Sequence, residues 1–388
     1  MISECNLNTI QCSLSNIFLS ATDYTGVGYI FYDLPNLAFT ALIIIYLSNK
    51  YKIPQIFLLA LLCHLLLPVL LNGVIFPPEY MEDQFRYWNS AVQFRSLNFF
   101  HDESITVYFA SIFLALVPVP FLFSVISIGI INKLIFALTF IYLYKEKFLN
   151  KWSSWFFLLY PSFALYSGLA LRDTLVLFFM IIPTYMLIKN KYFYAFLLAI
   201  PLFILKFPIA PILYMTFIGY IFCLNQKGVF RRKRLLIYLL STFIIYIIVA
   251  PLVLDSLNLY RAAMYWDDTG TLDGLTPMTG IVDLTSNIIG GLGPAFLSPS
   301  PLSSSGFQFI QSIENIFIFG ALLIVIYLNF NSRTYGRLIF WFVSFLAIIS
   351  IYSLVVFNLG TFSRYKFPMI AWFVLIMLYE LRRTNNSN

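Results

Sequence analysis

The 388 residues are 60% hydrophobic, 19% aromatic and only 11% charged, with a mean hydropathy of +0.84. A soluble domain carries about 25% charged residues, and 42 Phe with 26 Tyr exceed what a water-soluble core of this size buries. A soluble enzyme and a nucleic-acid module are therefore excluded, and the net charge of +7 is to be read by its distribution between apolar segments.

The N-terminal segment carries Cys5 and Cys12, which could pair in an oxidising compartment, and lacks the basic, apolar and small-residue pattern of a cleaved leader. A bilayer crossing needs about 17–25 apolar residues. The stretches 27–48, with Asp33, and 54–75, with Cys63 and His64, meet that length, and Lys50 and Lys52 lie between them. His64 is expected at a helix interface, and Cys63 and Cys223 as inert packing residues. His101 falls in a loop, and no Cys/His spacing suggests a metal site.

Residues 76–104 form a first outer loop. Read as a helix, its Glu82-to-Ala91 part places Phe85, Trp88 and Val92 on one apolar stripe suited to the membrane surface, with Asp83, Arg86, Tyr87 and Ser90 on a polar face. Transfer of a sugar to a hydroxyl needs a carboxylate within hydrogen-bond reach of that hydroxyl. Asp83 is the candidate base and Glu82 the second; the alternative is a Glu82–Arg86 surface pair with Asp83 merely solvated. The stretch 105–144 is interrupted by Pro118, Pro120, Asn132 and Lys133. One full crossing is expected at 125–144, after a half-inserted or interfacial helix at 105–124.

Two hairpins of short crossings follow, 153–188 and 193–224. Arg172 and Lys206 stand at their outer turns within apolar runs, as anion ligands or as snorkelling, helix-capping cations. Further crossings are expected at 235–254, 312–330, 338–357 and 367–381. A second outer loop, 255–311, is rich in Gly and Pro and holds a Ser-rich run at 298–306, which handles sugar or is disordered. At its root lie Tyr260, Arg261, Tyr265 and Trp266, then Asp267, Asp268 and Asp273, which either hold sugar hydroxyls and offer a second base or form a solvated acidic loop. Tyr87, Trp88, Tyr260, Tyr265 and Trp266 could stack on sugar rings or anchor the interface. Arg364 and Lys366 precede the last crossing.

Short basic loops mark the cytoplasmic side. The clusters 50–52, 145–151, 189–191, 227–234, 333–337 and 382–383 hold 16 of the 24 bases against two acids, Glu146 and Glu380, a balance of +14. The other side, with Asp33 counted to it, holds 15 acids and seven bases, Arg86, Arg95, Arg172, Lys206, Arg261, Arg364 and Lys366, a balance of −8, with Lys133 unassigned. This parity gives about eleven crossings (10–13), the N-terminus outside and the C-terminus inside. The expected fold is all-α, a single polytopic membrane domain over 1–388 with its two large loops outside.

Cations on the outer boundary face the headgroup region, where a lipid-linked diphosphate presents its charge. Arg offers a planar fork to phosphate oxygens, and cations there would stabilise the charge that develops as a glycosidic bond to diphosphate breaks. Arg172, Arg364, Lys366, Arg261 and Lys206 are the candidate ligands. This account needs no metal and no cofactor.

Three segments carry a resemblance. The acidic Glu82-Asp83-x-x-x-Tyr87 segment after an early crossing resembles membrane glycosyltransferases of the GT-C type. Tyr160-Pro161-Ser162-Phe163 with Ser167-Gly168-Leu169-Ala170-Leu171-Arg172-Asp173 is similar to the hairpin of bacterial polysaccharide polymerases, and Arg364-Tyr365-Lys366-Phe367-Pro368 to an Arg-Tyr-x-x-Pro element of both groups. These segments cover about a tenth of the chain by the sequence-motif reading, while the hydropathy layout resembles that of O-antigen or capsule repeat-unit polymerases (Wzy type) throughout. The Arg-x10-Gly spacing that some of them carry is absent at Arg172 and Arg261. The resemblance implies a GT-C-like fold, an inner-membrane location and an undecaprenyl-diphosphate-linked oligosaccharide substrate. It also implies Arg172 and Arg364 in the diphosphate site, and a chain-length regulator and other polysaccharide-assembly membrane proteins as partners. Two alternatives stand beside it: a GT-C transferase using a polyprenyl-monophosphate sugar donor, and a lipid-linked oligosaccharide flippase or transporter. Transporters bind near the midplane, between repeats; the candidate groups here lie at the outer boundary.

Overall fold

The computed structural model describes residues 30–72, 75–76, 81–99, 103–224, 230–299, 307–330 and 334–385. Cys5, Cys12, His101 and most of the Ser-rich run lie outside them. Among the described residues all regular structure is helical, apart from two isolated β-bridges. Among the described residues four helices are long and apolar enough to cross a bilayer, which gives the chain the character of an α-helical membrane protein. The chain divides into two compact units, Met1–Phe179 with Ile204–Lys206, and Met180–Phe203 with Phe207–Asn388.

The first unit contains α1 (Ile30–Lys50), α2 (Gln55–Leu71), α3 (Asp83–Arg95), α4 (Ile105–Ala115), α5 (Val125–Lys145), α6 (Lys151–Leu159), α7 (Pro161–Tyr166) and the start of α8 (Asp173–Ile188). Its core is α5, one of the four long apolar helices, whose residues from Val125 to Ala137 are all buried, Asn132 and Lys133 included. A helix that is apolar all round buries all round. The start of α5 is set by a reciprocal capping box between Ser124 and Ser127. Both hydroxyls also donate to the buried carboxylate of Asp33, each at 2.5 Å, while Asn36 brackets Phe121 through its N–H (3.1 Å) and its carbonyl (2.9 Å). α1 thus holds the approach to α5.

Pro118 and Pro120 interrupt the segment before α5, as proline must when it lacks an N–H. α4 ends at Ala115, and Arg95 of α3 donates to the carbonyls of Ala115, Val117 and Val119 at 3.0, 2.7 and 3.0 Å. These include acceptors that a helix C-terminus leaves unmade. α3 packs against α4 and buries Gln84, Phe85, Tyr87, Ser90 and Ala91. Of its apolar stripe Phe85 is buried while Trp88 and Val92 are half-buried, and Tyr87 and Ser90 from the expected polar face are buried as well. Cys63 is exposed on α2, against the expectation of a packing residue, and Cys223 is buried.

The second unit holds the rest of α8, α9 (Tyr192–Ala199), part of α10 (Leu202–Leu205), α11 (Ile209–Cys223), α12 (Arg232–Thr269), α13 (Ile281–Leu297), α14 (Phe307–Asn329), α15 (Tyr335–Val355) and α16 (Leu359–Asn385). α12 runs for 38 residues, about 57 Å at 1.5 Å per residue, and its apolar window is almost wholly exposed, as a lipid-facing helix would be. It continues past the expected end at 254 and stops at Gly270, whose φ of +70° makes the left-handed cap, with the Gly270 N–H on Trp266 O at 2.8 Å. The region 255–311 is thus largely helix, in α12, α13 and the start of α14. Polar residues such as Asp255 and Asn258 end the hydropathy signal without ending the helix. Glu380 of α16, fully buried, accepts from Arg337 of α15 at 2.9 Å and from Tyr220 of α11 at 3.3 Å.

Candidate functional site

In the first unit α3 begins at Asp83, whose side chain is 44% exposed, with exposed Glu82 before it. Arg86 stands 4.0 Å from Asp83 but commits its Nε (3.1 Å) and Nη2 (2.8 Å) to Glu103, which raises its pKa. The alternative Glu82–Arg86 pair is therefore replaced by Arg86–Glu103, and Asp83 keeps an accessible carboxylate. Tyr87 is 2% exposed and its carbonyl accepts from Ser111 at 3.1 Å. Tyr87, a candidate for stacking on a sugar, thus lies on the packed side of α3. Trp88 is half-buried and donates its indole N–H to Leu122 O at 3.2 Å.

Between α7 and α8 the chain is irregular from Ser167 to Arg172. Pro161 ends α6 and restarts a short α7, so the hairpin is broken. The loop is held from two sides. Gln84, the residue after Asp83, is buried and accepts the Ala170 N–H at 2.9 Å. From α5, Asn132 donates to Leu169 O and Leu171 O, both at 2.7 Å. Its neighbour Lys133 donates to Ala164 O (2.7 Å), Ser167 Oγ (2.8 Å) and His64 Nδ1 (3.3 Å). His64, stacked on Phe136, donates Nε2–H to Leu158 O at 2.7 Å, as an interface histidine should. The approach is close: a Cβ on Gly129 would lie 2.5 Å from Gly168 O.

Arg172 ends this loop half-buried, whereas Asp173, at the start of α8, is buried. Lys206 belongs to the same unit and is buried in protein, not extended as a snorkelling side chain. Asp83 and Arg172 are thus carried on elements joined by the Gln84–Ala170 hydrogen bond. The signal for Gln84, Asn132 and Lys133 was polar residues inside or beside apolar runs, which reading by charge alone leaves without a role.

In the second unit Arg261 is buried within α12 and donates to Leu354 O (3.0 Å) and Thr276 O (3.4 Å), with Phe357 under its guanidinium at 5.8 Å. Lys366 of α16 is buried on Asn315 Oδ1 (2.7 Å) and Ala295 O (3.3 Å), and Asn315 in turn donates to Ser298 O at 2.7 Å. Both candidate anion ligands thus donate to acceptors within the protein. Arg364 is buried against the Tyr365 ring at 5.7 Å. Tyr265 donates its hydroxyl to Asp273 O at 2.9 Å and packs edge-on against Phe357, while Tyr260 and Trp266 are exposed. Asp283, unremarked in sequence, accepts from Thr279 N (3.0 Å) and Oγ1 (2.5 Å), bonds that hold its carboxyl below the usual range. Among the described residues no three His, Cys, Asp or Glu side chains gather as metal ligands.

No family model matches this chain, and comparison with curated proteins and with solved structures finds no significant match.

Proposed function

We propose that the protein is an O-antigen, capsule or exopolysaccharide polymerase that joins undecaprenyl-diphosphate-linked oligosaccharide repeat units at the periplasmic face of a bacterial inner membrane. The resemblance of the Glu82–Tyr87, Tyr160–Asp173 and Arg364–Pro368 segments supports this reading. The observation that carries it is the hydrogen bond from Ala170 N to Gln84, which ties the helix of the half-exposed Asp83 to the loop of Arg172. In this reading Asp83 takes the proton of the acceptor hydroxyl as its oxygen attacks the anomeric carbon. The bond to the lipid diphosphate breaks, and Arg172 stabilises the charge left on the departing oxygens. About eleven helices then cross the membrane in a GT-C-like layout, as the loop charges require.

The deciding experiment is deletion of the gene in its host, followed by gel analysis of surface lipopolysaccharide or capsule. Loss of the long-chain ladder with a core-plus-one-repeat band retained is expected, and an unchanged ladder overturns the reading. Arg172→Ala, expressed at the wild-type level, is expected to give the same loss.

A further inference from the structure

The break at 167–172 lies within an apolar hairpin and has no helix of its own to satisfy its backbone. Irregular backbone at membrane depth is tolerated only where protein or an aqueous cavity meets its polar groups. Gln84 takes the Ala170 N–H, Asn132 spends both amide protons on the carbonyls of Leu169 and Leu171, and the Leu171 N–H closes on Leu169 O at 2.8 Å.

Lys133 completes the support, and its surroundings offer three acceptors. The Leu158 carbonyl can only accept, so His64 carries its proton on Nε2 and presents a bare Nδ1 to Lys133. Ser167 gives its own proton to Phe163 O at 2.5 Å, so its Oγ accepts from Lys133. With Ala164 O, three acceptors meet the three N–H bonds of an ammonium group. The side chain is 1% exposed, and among the described residues it has no carboxylate in ion-pair range. A lysine buried in this way keeps its charge only where a compensating one lies nearby.

We propose that Gln84, Asn132 and Lys133 are positioning residues that hold the 167–172 loop, and that Lys133 places a second positive charge behind an anion site headed by Arg172, the ligand being a lipid diphosphate. The charge role rests on the reading of Arg172 given above; the positioning role does not.

The test uses the full chain in lipid nanodiscs, with farnesyl diphosphate as the probe, inorganic pyrophosphate as competitor and amide hydrogen exchange over 167–172 as a second readout. Gln84→Leu is expected to speed exchange in the loop and weaken probe binding, each by about ten-fold, the scale of one lost hydrogen bond. Gln84→Glu keeps an oxygen for the Ala170 N–H and is expected to restore both. Lys133→Met is expected to weaken binding by about ten-fold or more; should it fail to fold, Lys133→Gln replaces it and the Gln84 pair still decides the loop. Wild-type exchange and binding in Gln84→Leu and in the Lys133 variant, beside an Arg172→Ala protein that has lost binding, overturn the inference and leave the anion site standing. A wild-type protein that binds neither probe removes the anion site and with it the charge role of Lys133. Exchange then decides positioning by itself, faster in Gln84→Leu if the role is real and unchanged if it is not.

Discussion

At the scale of single residues, what separates the cations is the acceptors around each one. Arg86, Arg95, Arg261 and Lys366 sit on the side read as outer, yet each is engaged by a carboxylate, an amide or backbone carbonyls of its own chain. Such ties organise structure: Arg95 stitches α3 to the end of α4, and Lys366 links α16 to α13 and α14. At Asp83 the ion pair with Arg86, at 4.0 Å, is long and half-exposed. An exposed pair of that kind contributes about 0–1 kcal/mol. Asp83→Asn is therefore expected to leave thermal unfolding in detergent almost unmoved and to lower the polymerisation rate by about 100-fold or more, the usual range for a general base. A variant with wild-type rate would move that role away from Asp83, with Glu82 the next to test.

At the scale of elements, breaks matter more than spans. Pro161 divides α6 from α7, the chain stays irregular through Arg172, and α8 restarts at Asp173. The loop is then pressed against α5 at a point where only a glycine fits, since a Cβ on Gly129 would lie 2.5 Å from Gly168 O. Gly129→Ala removes no functional group and adds one methyl. It is expected to shift the loop, shorten or abolish the polysaccharide ladder, and destabilise by about 1–3 kcal/mol, the scale of overpacking; ladder length and thermal unfolding measured on the same variant check both parts. α12 teaches the complementary lesson. Its apolar residues run out near 254, but the helix persists to Thr269, because helix continuation needs only residues that tolerate the conformation, and Gly270 is the first that ends it.

At the scale of the whole molecule, charge sorting gives a topology that experiment can check position by position. Reporter fusions after residues 52, 147, 191, 234, 337 and 383 are expected to report cytoplasm, and fusions within 76–104 and 255–311 the opposite side. A reversed report at 147 or 191 would change the crossing count around the broken hairpins. Among the described residues four helices meet the length and hydropathy of a span, while α4, α8 and α11 are apolar but shorter. Short apolar helices that follow one another, such as α6 with α7, can share a crossing that neither makes alone. Arg364, buried in α16, enters the functional reading through the resemblance of its segment only.

Sequence by itself determined the solvent class and the fold class, because hydropathy averages over twenty residues and survives any detail of packing. It also located α5 to within a residue of its observed end, 144 against Lys145, and singled out Asp83 and Arg172, since a charge in an apolar context is conspicuous in one dimension. Only the tertiary structure decided which charges are consumed and which polar residues matter. Arg261 and Lys366 find acceptors 93 and 51 residues away, at Leu354 and Asn315. Gln84 meets its loop across 86 residues, and Lys133 meets His64 across 69. Hydrogen bonds of that reach depend on how helices pack, and no local pattern encodes them.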